Sequence, residues 1–288
     1  MNKHYKAIFF DWDGTAVMSR KAPVMDAVNA MKPLLDKGIK LAIISGTTYE
    51  NIAGGVIEDY FTPAQLENLY LGLGRGAYNY AFKDGKPYVF AHMIPEKEQL
   101  EMIHNICFEI HMELIRKYNF NTDILFSRPN YCKIDLMVDN NRGDNLFMQE
   151  NELDMLKEKM KQHGIEGGLQ SLIDMSIDIA KKHHVKVEPT CDAKYLEVGI
   201  SSKSNNADTI FEKLRETDPQ LEAKDCCFWG DEYVGIEAGI FGSDSFMYTE
   251  ITKEGDFFDV SNVTGDRPPK VNVLGGGINT FLEFLSRQ

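Results

Sequence analysis

The chain switches between uninterrupted apolar runs and stretches whose apolar residues recur every three or four positions. The first pattern marks a buried strand, the second a helix packed by one face. "AIFF" (7–10) and "IKLAIISG" (39–46) are runs of the first kind. Between them, Val24, Ala27, Val28, Met31, Leu34 and Leu35 share one face of a helix that Pro23 opens and Gly38 ends. Strand, helix and strand in that order predict a right-handed crossover in a parallel sheet. "ENLYLGLGRGAYNYAFKDGKPYVF" continues as short strands, with a hairpin turn at Asp84-Gly85.

From about residue 90 the pattern changes. One long helix is expected over 96–118, with Leu100, Ile103, Cys107, Ile110 and Leu114 at helical spacing. Strands "DILFS" and "YCKIDLMV" follow, then helices near 151–163 and 168–183, then strands "VKVEP" and "KYLEVGI". This is antiparallel α+β in character, which marks an inserted second domain. After Ser202 the earlier pattern resumes: a helix "NNADTIFEKLRE", a buried strand "CCFWGD", a further strand "DSFMYT", and a last helix "INTFLEFL". The expectation is an α/β protein. A Rossmann-like parallel-sheet core made of 1–89 and 193–288 is interrupted by an α+β cap at 90–192.

Composition changes this picture in a few respects. With 288 residues and 43% apolar content the chain can build one large or two moderate cores. Lys and Arg total 31 against 44 Asp and Glu, a net charge of −13, which argues against nucleic acid or an anionic membrane surface as partner. The first residues carry no apolar signal core, and no stretch approaches a membrane span, so a cytoplasmic location is expected. Five scattered cysteines without CxxC spacing point to buried reduced thiols rather than a disulfide framework or a zinc site. His183-His184 read as a solvated helix end, and Gly275–Gly277, lacking a Lys-Ser/Thr ending, as a turn.

The candidate chemistry sits where the apolar runs stop. "KAIFFDWDGT" ends its strand on Asp11 and Asp13, at the edge of a parallel sheet where ligands gather. A carboxylate there can attack phosphorus, and a second two positions on points to the same side and can pass a proton to the leaving oxygen. Two such charges repel a phosphate, so a divalent cation is required, and Mg²⁺ suits an all-oxygen setting. An Asp-rich turn capping the next helix is the plainer alternative. Three further strand-end or helix-start features come in order. Ser45 and Gly46 can hold phosphate oxygens, Lys203 puts a cation near a helix N-terminus, and Asp231 ends a third buried strand with a carboxylate for the metal.

These four signals, in this order, resemble the motifs of the haloacid dehalogenase (HAD) superfamily of phosphohydrolases: D-x-D-G-T, a strand-end Ser or Thr, a Lys, and a G-D acidic turn. The placement of the insertion is similar to the branch with a large cap, which includes Cof-type sugar phosphatases and phosphomannomutase-like enzymes. "LGRGAYNYAFKDGK" falls where that branch carries an N-G-A hairpin, with Arg75 in place of the Asn. The resemblance implies Asp11 as nucleophile and Asp13 as general acid, then base. It implies Mg²⁺ held by Asp11, Asp231 and the backbone carbonyl of Asp13, and phosphate held by Ser45, Gly46 and Lys203. Thr15 would fix the loop.

The last motif departs from the branch, whose second acidic residue follows closely. A lengthened loop would bring Asp244 to that place, with Glu232 as competitor. In the cap, Arg128, Asn130 and Lys133 sit on or beside a strand that could meet substrate. The implied function is Mg²⁺-dependent hydrolysis of a small phosphorylated metabolite, a sugar phosphate being the foremost candidate. A phosphomutase, or a phosphosugar sensor without catalysis, is the alternative.

Overall fold

The computed structural model describes residues 3–126, 128–140 and 151–288. The chain begins with β1 (Ala7–Phe10), α1 (Met25–Asp36), β2 (Lys40–Ser45), α2 (Pro63–Leu66), β3 (Leu69–Leu73), β4 (Tyr78–Lys83) and β5 (Lys86–His92). It continues through α3 (Lys97–Tyr118), β6 (Asp123–Leu125), β7 (Tyr131–Asp135), α4 (Glu152–Gln162), α5 (Gly168–Lys182), β8 (Thr190–Cys191) and β9 (Tyr195–Gly199). It ends with α6 (Lys203–Thr217), β10 (Cys226–Gly230), β11 (Gly235–Glu237), β12 (Ile240–Phe241), β13 (Asp256–Asp259), β14 (Val271–Val273) and α7 (Gly277–Ser286).

Two compact units result. The first comprises Met1–His92, Ser202–Val234 and Ser243–Gln288, the second Met93–Ser201 and Gly235–Gly242. The boundaries thus fall three residues after the expected 89/90 junction and nine after 192/193, and the second unit gains a segment from the expected core.

In the first unit an eight-stranded sheet runs β14-β13-β10-β1-β2-β3-β4-β5. The pairings from β14 to β3 are parallel, and β4 and β5 add antiparallel edges. Because side chains alternate along a strand, each central strand feeds two cores. Ile8, Phe10, Leu41, Ile43 and Trp229 pack with residues of α1 and α7, while Ala7, Phe9, Ala42, Ile44 and Phe228 pack with Ile210, Phe211 and Leu214 of α6. Phe9, Phe228 and Phe257 stack across three neighbouring strands at centroid separations of 4.8 and 4.7 Å. Burial on both faces is why these strands read as continuous apolar runs.

The second unit has a four-stranded antiparallel sheet, β6-β7-β9-β8, with Cys132, Ile134, Leu196 and Val198 packed against α3, α4 and α5. Ser127, the last residue of the expected strand "DILFS", lies outside the described residues. The expected strand "VKVEP" is absent. Its backbone instead bonds from Val185 N to Ala180 O and from Glu188 N to Gly199 O, and pairing begins only at Thr190. The alternating valines there bury Val187 alone, without a ladder.

The segment 235–242 is the structural surprise. It forms the β11–β12 hairpin, and Ile236 and Ile240 join the second unit's core. The Glu237 carboxylate accepts the Gln170 N–H at 3.1 Å, supplying the N-terminus of α5 with an anion that its own sequence lacks. Glu237→Ala should therefore lower the stability of this unit by about 1 kcal/mol, measurable as faster hydrogen exchange in the first turn of α5. Unchanged exchange there would show that the contact contributes nothing. All five cysteines are buried as thiols, and among the described residues no helix is long and apolar enough to cross a membrane.

Candidate active site

Strands β10, β1 and β2 are adjacent and parallel, so their carboxyl ends lie side by side. The residues that follow them are Asp231, Asp11 and, at the end of β2 itself, Ser45. The loop after β1 is pinned at once: Asp11 N donates to Trp229 O at 2.9 Å and Gly14 N to Val17 O at 2.7 Å. Gly14 has φ +86°, and a Cβ there would fall 2.2 Å from Asp231 Oδ2. Only glycine combines that backbone with so close an approach. Thr15 holds the same carboxylate, its Oγ1 donating to Asp231 Oδ1 at 3.0 Å, which is the loop-fixing role the motif implied.

Asp11, Asp231 and Asp244 each offer a carboxylate oxygen within a 4.8 Å cluster. Asp244 is fully buried and reaches this cluster from thirteen residues beyond Asp231, across the excursion into the second unit. Its Oδ2 accepts the backbone N–H groups of Asp231 at 3.0 Å and Glu232 at 2.8 Å, and its Oδ1 accepts Lys203 Nζ at 2.8 Å. Glu232 instead takes the Ser243 hydroxyl on Oε2 at 2.7 Å. A side chain at Gly230 would collide with Asp244, its Cβ lying 2.3 Å from Asp244 Cγ, so glycine is required there sterically. The expected strand "DSFMYT" is here a 3₁₀ turn, Ser243–Met247. A strand would point alternate side chains to opposite faces, whereas this turn curls Asp244 back onto the Asp231–Glu232 backbone.

Lys203 opens α6 and lies 3.1 Å from Asp11 Oδ1, outside hydrogen-bond geometry, which leaves that buried oxygen without a hydrogen-bond donor. Burial opposes the lysine's charge, yet Asp11, Asp244 and Glu232 outweigh it and push its pKa up, so it is a fixed cation. Burial raises Asp11 well above the usual carboxylate range, Lys203 pulls it back, and the charges of Asp244, Asp13 and Glu232 add to the rise. Asp231 is raised by burial and by Asp244, Glu232 and Asp11. Asp13 is also raised by burial, against the opposing pull of Arg20, whose Nη2 lies 3.2 Å from its Oδ2. Arg20 was not singled out in the sequence; its position seven residues after Asp13 carries no periodic signal.

Ser45 is buried and its Oγ accepts the Thr47 N–H at 3.3 Å, folding the loop back over Gly46. The cap candidates are spread differently. Arg128 donates from Nε to Tyr131 Oη at 3.3 Å, Asn130 is buried and donates to Ser201 Oγ at 2.7 Å, and Lys133 is engaged by Glu197 at 2.6 Å. All three belong to the second unit.

The donor set fits Mg²⁺. It is all oxygen, burial and neighbouring carboxylates raise the pKa of both Asp11 and Asp231, and Asp11 Oδ1 is buried without a hydrogen-bond donor. A divalent cation among them would relieve the like-charge repulsion and restore the ionised forms.

No protein-family model and no curated protein matches this chain. Solved structures do match in fold. An IMP-bound Plasmodium falciparum IMP-nucleotidase superposes with TM-score 0.57 at 13% identity over 99% of this chain and 66% of that one. A Eubacterium rectale protein gives TM-score 0.54 at 11% identity, covering 98% of each chain. A member of a phosphoryl-transfer superfamily, known for a trigonal-bipyramidal intermediate, gives TM-score 0.50 at 14% identity, covering 93% of each. The chain spans between 55% and 66% of the length of the IMP-nucleotidase chains it matches. The α/β fold implied by the HAD resemblance is thus the fold the chain adopts.

Proposed function

We propose that the protein is a Mg²⁺-dependent phosphohydrolase of the HAD type, acting on a small phosphorylated metabolite, with a sugar phosphate as the leading class. The observation that carries this reading is the buried cluster of Asp11, Asp231 and Asp244 oxygens within 4.8 Å, held beside the fixed cation Lys203. Packed, mutually repelling carboxylates are characteristic of functional sites, and one neighbour in fold belongs to a phosphoryl-transfer superfamily.

In this reading an oxygen of Asp11 attacks phosphorus. The Asp11 O–P bond forms as the ester P–O bond breaks, and Asp13 gives its proton to the departing oxygen. The raised pKa of Asp13 suits it to hold that proton beforehand. Water then attacks the aspartyl phosphate with Asp13 taking its proton, which releases inorganic phosphate and frees Asp11. Ser45, the Gly46 N–H and Lys203 bind the phosphoryl oxygens as charge builds on them. Asp11, Asp231, Asp244 and the Asp13 carbonyl would hold Mg²⁺, which supplies charge neutralisation and in-line alignment when bound. The second unit, carrying Arg128, Asn130 and Lys133, serves as the substrate-selecting cap. A soluble chain acting on a cytoplasmic metabolite fits the net charge of −13.

A phosphate-release assay over sugar phosphates, polyol phosphates and nucleoside monophosphates tests the proposal. Turnover should appear with Mg²⁺, vanish with chelator and return on adding Mg²⁺ back. Turnover that survives chelation would remove the metal from the mechanism, and phosphate transfer to a second sugar hydroxyl would make the enzyme a mutase.

A further inference from the structure

Lys203 and Asn206 are both buried and stand three residues apart in the first turn of α6, so they share one side of the helix. Lys203 meets Asp11 and Asp244, while Asn206 meets the β3–β4 turn. The Asn206 Oδ1 accepts the Gly76 N–H at 2.6 Å, and its Nδ2 donates to Asn79 Oδ1 at 2.9 Å and to Tyr78 O at 3.2 Å. Both donors of this fully buried amide are therefore used. Strand β3 makes room for it: a Cβ on Gly72 would fall 2.6 Å from Asn206 Cβ and 2.9 Å from Ile44 Cδ1, so a larger residue there would push α6 off the sheet.

The turn that Asn206 holds, 74–77, stands beside the Ser45–Gly46 loop, because Leu73 is the partner of Ser45 in the parallel β2–β3 ladder. Gly74, Arg75 and Gly76 are all left-handed, with φ of +66°, +55° and +92°. At Arg75 such a backbone is unfavourable and persists only where its surroundings enforce it. Two bonds do so: Gly74 N donates to Thr47 O at 2.9 Å, and Gly76 N to Asn206. Thr47 N in turn donates to Ser45 Oγ at 3.3 Å, and Arg75 Cγ lies 3.6 Å from where a Cβ would stand on Gly46. A chain of contacts thus runs from Ser45 and Gly46 through the turn to Asn206, and back along one helical turn to Lys203.

We propose that Asn206 is a positioning residue: its amide sets Lys203 at a fixed spacing from the Ser45–Gly46 loop, so that lysine and loop grip one phosphoryl group together. The two grips ride on different elements, Lys203 on a helix and Ser45 on a strand end. Below them Ile210, Phe211 and Leu214 hold α6 to the sheet by apolar contact, which is non-directional and tolerates a small slide of the helix. Hydrogen bonds fall off steeply with distance and angle, so the three bonds of Asn206 do not. The inference rests on the phosphohydrolase reading of the same site.

The test is calorimetric titration of orthovanadate into the protein in Mg²⁺; its five-coordinate form imitates a phosphoryl group in transfer and needs no turnover. Asn206→Ala should weaken vanadate binding about 10-fold. In a Lys203→Gln background the same substitution should cost nothing further, because a residue that acts through Lys203 has no effect once the lysine is gone. Ile210→Val, which loosens α6 one turn further on, should lower the melting temperature and leave vanadate affinity unchanged. Where Asn206→Ala does not fold, Asn206→Asp, of the same shape but without the two amide donors, goes through the same cycle with the same expected result. Unchanged vanadate affinity, equal losses with and without Lys203, or an equal loss in Ile210→Val would each overturn the assignment and leave Asn206 a stabiliser of the fold. Wild-type protein that binds no vanadate in Mg²⁺ would instead overturn the phosphohydrolase reading on which it rests.

Discussion

Asp11→Asn should abolish phosphate release, by at least about 10⁴-fold, while leaving the protein folded. The amide has the shape of the carboxylate but no nucleophilic oxygen, and the neighbouring carboxylates are engaged elsewhere: Thr15 donates to Asp231 Oδ1, and Asp244 Oδ2 accepts the Asp231 and Glu232 N–H groups. Stability should not fall. Asp11 is buried among Asp244, Asp13 and Glu232 and carries a raised pKa, so neutralising it removes repulsion, and Lys203 keeps Asp244 at 2.8 Å. Steady-state turnover on the best substrate and a thermal melt decide the matter together. Appreciable turnover by the folded variant would exclude the covalent route through Asp11, and a collapsed melt would show that its charge holds the strand ends together.

Asp244→Asn should weaken apparent Mg²⁺ affinity about 10- to 100-fold, the range for groups that support a metal, whereas Glu232→Gln should leave it nearly intact. The difference follows from what each carboxylate accepts. Asp244 uses one oxygen for two backbone N–H groups and the other for Lys203. An amide has one acceptor oxygen and must abandon one side, either loosening the Asp231–Glu232 turn or turning an NH₂ towards a lysine. Glu232 takes the Ser243 hydroxyl on Oε2 at 2.7 Å, and a Gln carbonyl oxygen can receive that bond equally well. Mg²⁺ titration of both variants separates the possibilities. A large shift for Glu232→Gln with none for Asp244→Asn would reverse the assignment and make Asp231 and Glu232 the acidic pair.

The hairpin 235–242 gives the second result a structural context. The chain leaves the first unit three residues after Asp231, builds β11 and β12 into the second unit, and returns one residue before Asp244. The lengthened last motif is therefore an excursion that contributes Ile236, Ile240 and the α5-capping Glu237 to the other unit. Its two acidic ends are brought together again by hydrogen bonds to Asp244, including its own N–H to Glu232 O at 3.2 Å.

What the sequence by itself determined are the features written in contiguous residues. The apolar runs at 7–10, 39–46 and 226–230 specify strands buried on both faces, because such strands need no polar positions, and a carboxylate or hydroxyl directly after each run must emerge at the sheet edge. Asp11, Asp231 and Ser45 were legible for that reason, Lys203 as a cation at the start of a helix, and the hairpin at Asp84-Gly85 because these residue types favour its left-handed backbone. Only the tertiary structure decided the rest, because the determining contacts join residues far apart in the chain. Apolar alternation in "VKVEP" and "DSFMYT" is compatible with a strand, but no neighbouring edge pairs with the first and the buried Asp244 curls the second into a 3₁₀ turn. β13 and β14 went unrecognised because they are short and take their place through parallel pairing to β10 and to each other. The pairing of Arg20 with Asp13, the Asn206 amide on the Gly76 N–H, and the packing of Arg75 on Gly46 depend on which strand ends the sheet order sets side by side. Local spacing encodes which side of an element a residue occupies; the assembled sheet alone selects what that side meets.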